Sequence, residues 1–214
     1  MTTESAASPR PPSTRPTRRT ENVRVQGRSA RVVEAILTAV AEELGRVGYA
    51  NLRIEDVATR SGVNKTTIYR RWPQKSELVV AAIERLAPKP EVYDTGTLRG
   101  DLTAMLSDMR LRINETSAGR GIARMMQAER AHPEVAGVLR RMRVTHLQAR
   151  RAPFERALAR GELPTNSDIE LLSELTIAPL ISRLVHHNLE VDDQFLHGLV
   201  EVVVLGALAG GAVV

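Results

Sequence analysis

Residues 54–72 read IEDVATRSGVNKTTIYRRW, and the way this stretch divides decides the fold. Ile54 to Arg60 suits a short helix, Ser61-Gly62 a turn, and Asn64 to Trp72 a second helix that Pro73 prevents from continuing. Gly62 supplies a positive φ at no steric cost, and Ala58, four residues earlier, is small enough for the following helix to cross closely. Val63 and Ile68 are then the anchors that point back into a core. Asn64, Lys65, Thr66, Thr67, Tyr69, Arg70 and Arg71 are left facing outward. A helix whose exposed start carries short hydrogen-bond donors and cations has the chemistry to enter a DNA major groove and meet the flanking phosphates. The alternative for each of these side chains is an ordinary solvated surface, and the stretch alone leaves both open.

Outward from this stretch the chain keeps a helical period. Val33, Ile36, Leu37, Val40, Ala41, Leu44 and Val47 mark one apolar face upstream, with Gly48 expected to close that helix as a left-handed cap. Downstream, a helix from about Lys75 to Leu86 stops at Pro88. Pro88 to Gly96, with two prolines, a glycine and no periodicity, reads as a linker and sets a domain boundary. Beyond it, Leu98, Leu102, Met105, Leu106, Met109 and Ile113 form a stripe. A short helix with Ile122, Met125 and Met126 follows Gly119–Gly121. His132-Pro133 opens a long helix that ends near Gly161. Ser167 and Glu170 match a capping box ahead of a helix that Pro179 should kink, and Asp192 is placed to cap the last one. No strand alternation and no internal repeat interrupts this pattern. The expectation is an all-α protein with three parts: a disordered basic arm over 1–27, a three-helix helix-turn-helix domain over 28–87, and a larger helical bundle over 88–214.

Composition narrows the function. Aromatic residues are only 3% of the chain, so the core must be built from aliphatic side chains, Ala and the six Met. The chain holds no cysteine, which excludes disulfides, cysteine-ligated zinc and thiol nucleophiles and suits a reducing cytoplasm. Charge is distributed unevenly. Residues 1–27 carry five Arg against two Glu, residues 28–87 ten basic against seven acidic, and residues 88–214 fifteen basic against sixteen acidic, so the basic excess behind the net +5 lies entirely in the first 87 residues. A basic end on a neutral body suggests an anionic partner at one end. Residues 1–27, rich in Pro, Ser, Thr and Arg, have too little apolar surface to offset ordering. Arg15, Arg18, Arg19 and Arg24 suit either a minor groove or a solvated tail. The most apolar stretch, Leu199 to Val214, is too short to span a bilayer and reads as a packing helix with a tail, so no membrane partner is expected.

The run from Ile36 to Ile83, ILTAVAEELGRVGYANLRIEDVATRSGVNKTTIYRRWPQKSELVVAAI, resembles the DNA-binding domain of the TetR family of bacterial transcriptional regulators. The likeness rests on VGY after the first helix, IEDVATRSGV through the turn, TIYRRW, and KSEL opening the fourth helix. It implies that Lys65, Thr66 and Thr67 meet bases and adjacent phosphates, and that Tyr69 and Lys75 meet phosphate, Lys75 at a helix N-terminus. It implies backbone contacts from Thr38 and Arg53, with Tyr49 and Trp72 left to packing. DTGTLRGDL and ELLSELTIAPLISRL are only generally similar to C-terminal regions of some members.

The resemblance further implies a body that binds a small molecule and dimerises. Leu172, Leu175, Leu180, Leu184, Leu199, Val202 and Val203 on the last two helices are the expected interface, pairing with a second copy as a four-helix bundle. Met105, Met109, Met125, Met126 and Met142, with His146, are the expected pocket lining, although such a stripe serves equally as plain core. Catalytic motifs are absent: there is no P-loop, G-x-G-x-x-G, H-E-x-x-H or G-x-S-x-G. His186, His187 and His197 with Asp192 and Asp193 do not make a metal site, because adjacent helical histidines diverge and the acids suit a cap. No cofactor or metal is expected. Three readings remain: a dimeric regulator, as a repressor released from a near-palindromic double-stranded operator by a small-molecule effector; a constitutive or architectural DNA-binding protein; and a small helical enzyme, for which the sequence offers no convergent titratable set.

Overall fold

Proline and glycine punctuation sets most helix ends. The computed structural model describes residues 19–87 and 89–209, and among these there is no strand. The order is α1 (Arg19–Asn51), α2 (Ile54–Ser61), α3 (Lys65–Arg71), α4 (Lys75–Leu86), α5 (Leu98–Glu115), α6 (Ser117–Ala128), α7 (Pro133–Ala159), α8 (Ile169–Ile181), which runs into a π-helical turn (Ser182–His186), and α9 (Asp193–Ala209). The all-helical expectation therefore holds. Of the arm expected to be disordered, residues 19–27 instead form the first turns of α1. The last proline of that arm is Pro16, and once a helix is nucleated each further residue adds a hydrogen bond without a new nucleus. The rest of the arm, 1–18, lies outside the described residues, as does the tail after 209.

Local detail departs from the sequence reading at several points. Gly48 does not adopt the left-handed helical cap; at φ 76° and ψ 171° it breaks α1 in a region only glycine occupies readily, and the turn that follows brings Tyr49 inward to 3% exposure. The cap of α8 is Asp168, whose carboxylate accepts from the Leu171 N–H at 3.0 Å, and not Ser167, whose buried hydroxyl finds no protein partner. A charged acceptor makes the stronger bond to an orphan helix N–H. Asp192 does cap α9, accepting from the Phe195 N–H at 2.7 Å. Pro153 lies inside α7, within the long helix expected from His132-Pro133 to near Gly161. Pro179 lies within α8, and the backbone widens into the π-helical turn just beyond it.

Two apolar cores form, and they do not divide at the linker. The first joins Ile36, Val40 and Leu44 of α1, Val57 of α2, Ile68 of α3 and Leu78, Val79 and Ile83 of α4 to Met125 of α6 and Val135, Val138 and Leu139 of α7. The second gathers Leu98, Leu102 and Leu106 of α5, Phe154 and Ala157 of α7, Leu180 of α8 and Leu196, Val200 and Val203 of α9. Helix α7 therefore reaches both, spanning about 40 Å at 1.5 Å per residue. The α1–α6 crossing is close: a Cβ on Gly121 would stand 3.3 Å from Leu44 Cδ2, and one on Gly45 would stand 3.2 Å from Arg120 Cβ.

The outer face of α8 and α9 corrects the expected interface. Leu172, Leu180 and Val203 are buried within the chain's own core at 8%, 0% and 4% exposure, and Leu184 and Leu199 are half-buried against it. Leu175 and Val202 are exposed, and Leu171, Leu205 and Leu208, not singled out from the sequence, are exposed with them. The reason is that α8 and α9 are apolar nearly all round, so their sequence does not tell the inward side from the outward one.

Candidate functional site

The turn between α2 and α3 is built as its sequence requires. Gly62 takes φ 67° and ψ 18°, and the Val63 N–H returns to the Ala58 carbonyl at 3.2 Å. Asn64 caps α3, its side-chain oxygen accepting from both the N–H and the hydroxyl of Thr66 at 2.9 Å. Ile68 is fully buried and Val63 packs beside it. With that side anchored, α3 presents Lys65, Thr66, Tyr69, Arg70 and Arg71 to solvent, with Thr67 half-exposed.

The expected DNA-contacting residues then separate by their existing partners. Lys65, Thr67, Tyr69 and Arg70, together with Thr38 on α1 and Arg53 at the start of α2, make no side-chain hydrogen bond or ion pair among the described residues. Asn64 and Thr66 are engaged with each other at the cap. Arg71 donates to the Ser29 hydroxyl at 2.8 Å, tying α3 to α1. Lys75 is turned inward: its ammonium donates to the Tyr49 carbonyl at 3.0 Å and the Ala50 carbonyl at 3.4 Å and lies 4.6 Å from the centre of the Tyr49 ring. It closes the C-terminal end of α1, where a cation is favoured, and so is not turned outward from the start of α4 as expected.

Beneath α2 lies a charge the sequence reading missed. Glu43 of α1, 2% exposed, accepts from Arg46 at 2.6 Å and from Arg60 of α2 at 2.6 Å. The Arg46 hydrogen bond, against the opposing effect of burial and with help from Arg60, holds its carboxyl below the ordinary range. This pairing fixes α2 to α1. The only hint of it in sequence is a carboxylate in the middle of an apolar helical face.

The second constellation is a cavity of about 140 Å³ lined by the strap that precedes α5, by α5, α6 and α7, and by the π-helical turn region. Met105, Met109, Met126, Met142 and His146, singled out from the sequence, are among the residues that line it. Met125 does not: fully buried, it faces the first core, because the residue next to Met126 on a helix points about 100° away. Gly119, Ile122 and Ala123 of α6 add to the wall, along with Arg112, Arg143 and Arg150. The strap is fastened by Tyr93, whose hydroxyl donates to Asp108 at 2.5 Å, and by Arg112, which pairs with Glu91 at 2.5 Å and Asp108 at 2.6 Å. Helix α6 thus has one side on the cavity and the other on α1. A further tie joins α1 to the start of α7: Tyr49, beyond the Gly48 break, donates to Glu134 at 3.1 Å and meets His132 edge-on at 4.8 Å. Burial, then the Glu134 hydrogen bond, pushes the Tyr49 phenol up to about 12.

A helix-turn-helix with a free, basic second helix, packed on a helical body that holds an apolar pocket, is the architecture of a DNA-binding regulator. Residues 36–82 match the family of bacterial regulatory proteins designated tetR, and residues 92–203 match the tetracyclin repressor-like C-terminal domain. The DNA-binding transcriptional repressor TetR of Mycobacteroides abscessus is 32% identical over 182 residues, 83% of this chain and 94% of that protein. The HTH-type transcriptional regulator AqdR of Rhodococcus erythropolis is 28% identical over 185 residues, covering 86% of this chain and 88% of its own. The crystal structure of the TetR family transcription regulator SCO0332 superposes with a TM-score of 0.56 at 30% identity over 82% of this chain and 97% of its own. The chain belongs to the TetR family of transcriptional regulators, which bind DNA, and its relatives are regulators and not enzymes. Among the described residues no helix is long and apolar enough to cross a membrane.

Proposed function

We propose that this protein is a dimeric repressor that a small-molecule effector, seated in the α5–α7 cavity, releases from a near-palindromic operator. The observation that carries this is the position of α6. Its Ile122, Ala123 and Met126 line the cavity, while Gly121 lies against Leu44 of α1, the helix that Glu43 and Arg60 lock to α2. An effector that favours a different seat for α6 therefore displaces α1 and, with it, α3. Only a difference in affinity between the two arrangements can drive such release. In a dimer the two copies of α3 must match successive major grooves about 34 Å apart, so a small tilt in each is enough to misalign them.

Within this reading Lys65 and Thr67 read bases while Tyr69 and Arg70 hold phosphates, since these side chains carry no competing intramolecular partner. The DNA-coating alternative leaves the cavity and its methionines without a use.

The test is binding of the full chain to its own upstream promoter DNA against random DNA of equal length at about 0.15 M salt. Tight, selective binding by a dimer is expected. Thr67→Ala should lose about 1–3 kcal/mol on the operator and much less on random DNA. Tyr69→Phe should weaken both alike. Equal losses on both DNAs for Thr67→Ala would remove the base-reading role, and unselective, steeply salt-dependent binding to every promoter fragment tried would favour the coating protein.

A further inference from the structure

Four cationic side chains line the cavity, Lys89, Arg112, Arg143 and Arg150, against two acids, Glu91 and Asp108. Both acids are taken by Arg112. Arg143 is neutralised from outside the lining by Glu129, in a two-pronged pair at 2.9 and 2.6 Å. Lys89 stands exposed at the strap. Arg150 is left over. Its Nε is closed off from solvent and has no hydrogen-bond partner, and among the described residues no carboxylate pairs with it. Burial lowers its affinity for its proton, and the like charge of Arg143 lowers it further. An arginine nonetheless stays charged in a protein, and one that is half-buried at a pocket wall without a counter-charge favours an anion that completes it.

We propose that the effector is an amphipathic monocarboxylate whose carboxylate pairs with Arg150 while its apolar body lies among Met105, Met109, Ile122 and Met126. This rests on the effector reading above and specifies its chemistry. A guanidinium matches a carboxylate with two parallel N–H···O bonds, which fixes orientation as well as charge. Methionine thioethers adapt to varied apolar shapes but carry no charge to compete with that pairing. The cavity, at about 140 Å³, approaches the size of an engineered apolar cavity that holds benzene, so the ligand it takes without expanding has on the order of six to ten non-hydrogen atoms. A neutral isostere leaves Arg150 unpaired, and a cation adds to the repulsion that Arg143 already exerts.

The experiment is calorimetric titration and thermal melting of the full chain, without DNA, with octanoate, octanamide and octylamine, and with benzoate and benzamide as a second body. Octanoate or benzoate should bind at least about tenfold more tightly than its amide, as loss of a charge-assisted pair requires, and octylamine should not bind. Arg150→Met should abolish that preference for the acid while retaining the amide. Arg150→Lys, which keeps the charge but not the fork, should retain a reduced preference and serves if Arg150→Met does not fold. An amide or amine bound as tightly as the acid by the unaltered protein overturns the proposal, as does a full acid preference that survives Arg150→Met. Failure of all five compounds to bind overturns the proposal together with the effector reading, whereas binding without acid preference overturns the proposal alone.

Discussion

Among the described residues two carboxylates, Glu43 and Asp101, are buried, and both are held by partners that only the folded chain assembles. Asp101, with no exposed side-chain surface, accepts from the Thr95 N–H at 2.6 Å, the Thr95 hydroxyl at 2.8 Å and Arg156 at 3.1 Å. Burial pushes its carboxyl up, but these hydrogen bonds outweigh burial and hold it below the ordinary range. Glu43 is depressed in the same direction. A group with a lowered folded-state pKa stabilises the fold above its unfolded value, about 3.9 for Asp and 4.3 for Glu, and loses that contribution as pH falls through the folded value. Stability should therefore be flat from neutrality to about pH 5 and fall below about pH 4. Asp101→Asn should cost about 3 kcal/mol at pH 7, because it leaves Arg156 short of its counter-charge, and should flatten the acid limb. Urea melts from pH 7 to pH 2 measure both; an acid limb of unchanged steepness in the variant would show that Asp101 contributes no proton linkage. At this scale the sequence was legible wherever a residue's role is local. Gly62 and Ile68 follow from a turn and an anchor in one short stretch, whereas Asn64, expected to face outward to DNA, is taken by the cap of α3. Glu43, Lys75 and Arg150 were not legible in the same way, since what each side chain does depends on a helix far along the chain: α2 for Glu43, the end of α1 for Lys75, and for Arg150 the absence of any acid around it.

Helix α6 shows the same division one level up. The sequence marks Gly119 and Gly121 as the approach to a short helix, because glycine is costly in a helix interior. Both in fact lie inside α6 and are buried, and each is required by a close approach. A Cβ on Gly119 would stand 2.0 Å from the Arg112 carbonyl oxygen at the end of α5. Backbone cannot yield as a flexible side chain does. Gly119→Ala must shift α6 against α5, on the very side that lines the cavity. It should destabilise by about 1–3 kcal/mol, the usual cost of overpacking, and should weaken effector binding more than operator binding. Thermal melts combined with promoter binding in the presence and absence of octanoate check this. An unaltered melting temperature would mean that the α5–α6 junction is looser than it stands. The helical periods of α1 to α4 were readable because each packs on its chain neighbours. Which helix fills the groove of α1 was not, because the partner lies far along the chain and its signature is the lack of a side chain at Gly45 and Gly121.

Among the described residues, α8 and α9 leave a set of apolar side chains uncovered on the scale of the whole molecule. Leu171 and Leu175 of α8 and Val202, Leu205 and Leu208 of α9 are 50–70% exposed, at spacings of three and four residues that set them in stripes. Exposed apolar side chains grouped in this way suit an interaction surface, and the proposed two-fold dimer assigns them to a second copy. The residues that must carry such a dimer are these, and not Leu172, Leu180 or Val203, which already serve the chain's own core. The double variant Leu175→Glu, Val202→Glu places four like charges across the two-fold interface while touching nothing buried. It should remain folded, with unchanged helical circular dichroism and an unchanged cavity affinity, yet sediment as a monomer. Operator binding should then fall by about 10²-fold or more, since the second half-site is no longer presented at high effective concentration. Analytical ultracentrifugation and promoter titration of the same preparation separate the possibilities. A monomer that keeps full operator affinity would show that one α3 suffices and would end the palindromic-operator reading. A dimer that survives the substitutions would place the interface on another face, and the mutual spacing of the two recognition helices would have to be rebuilt from there.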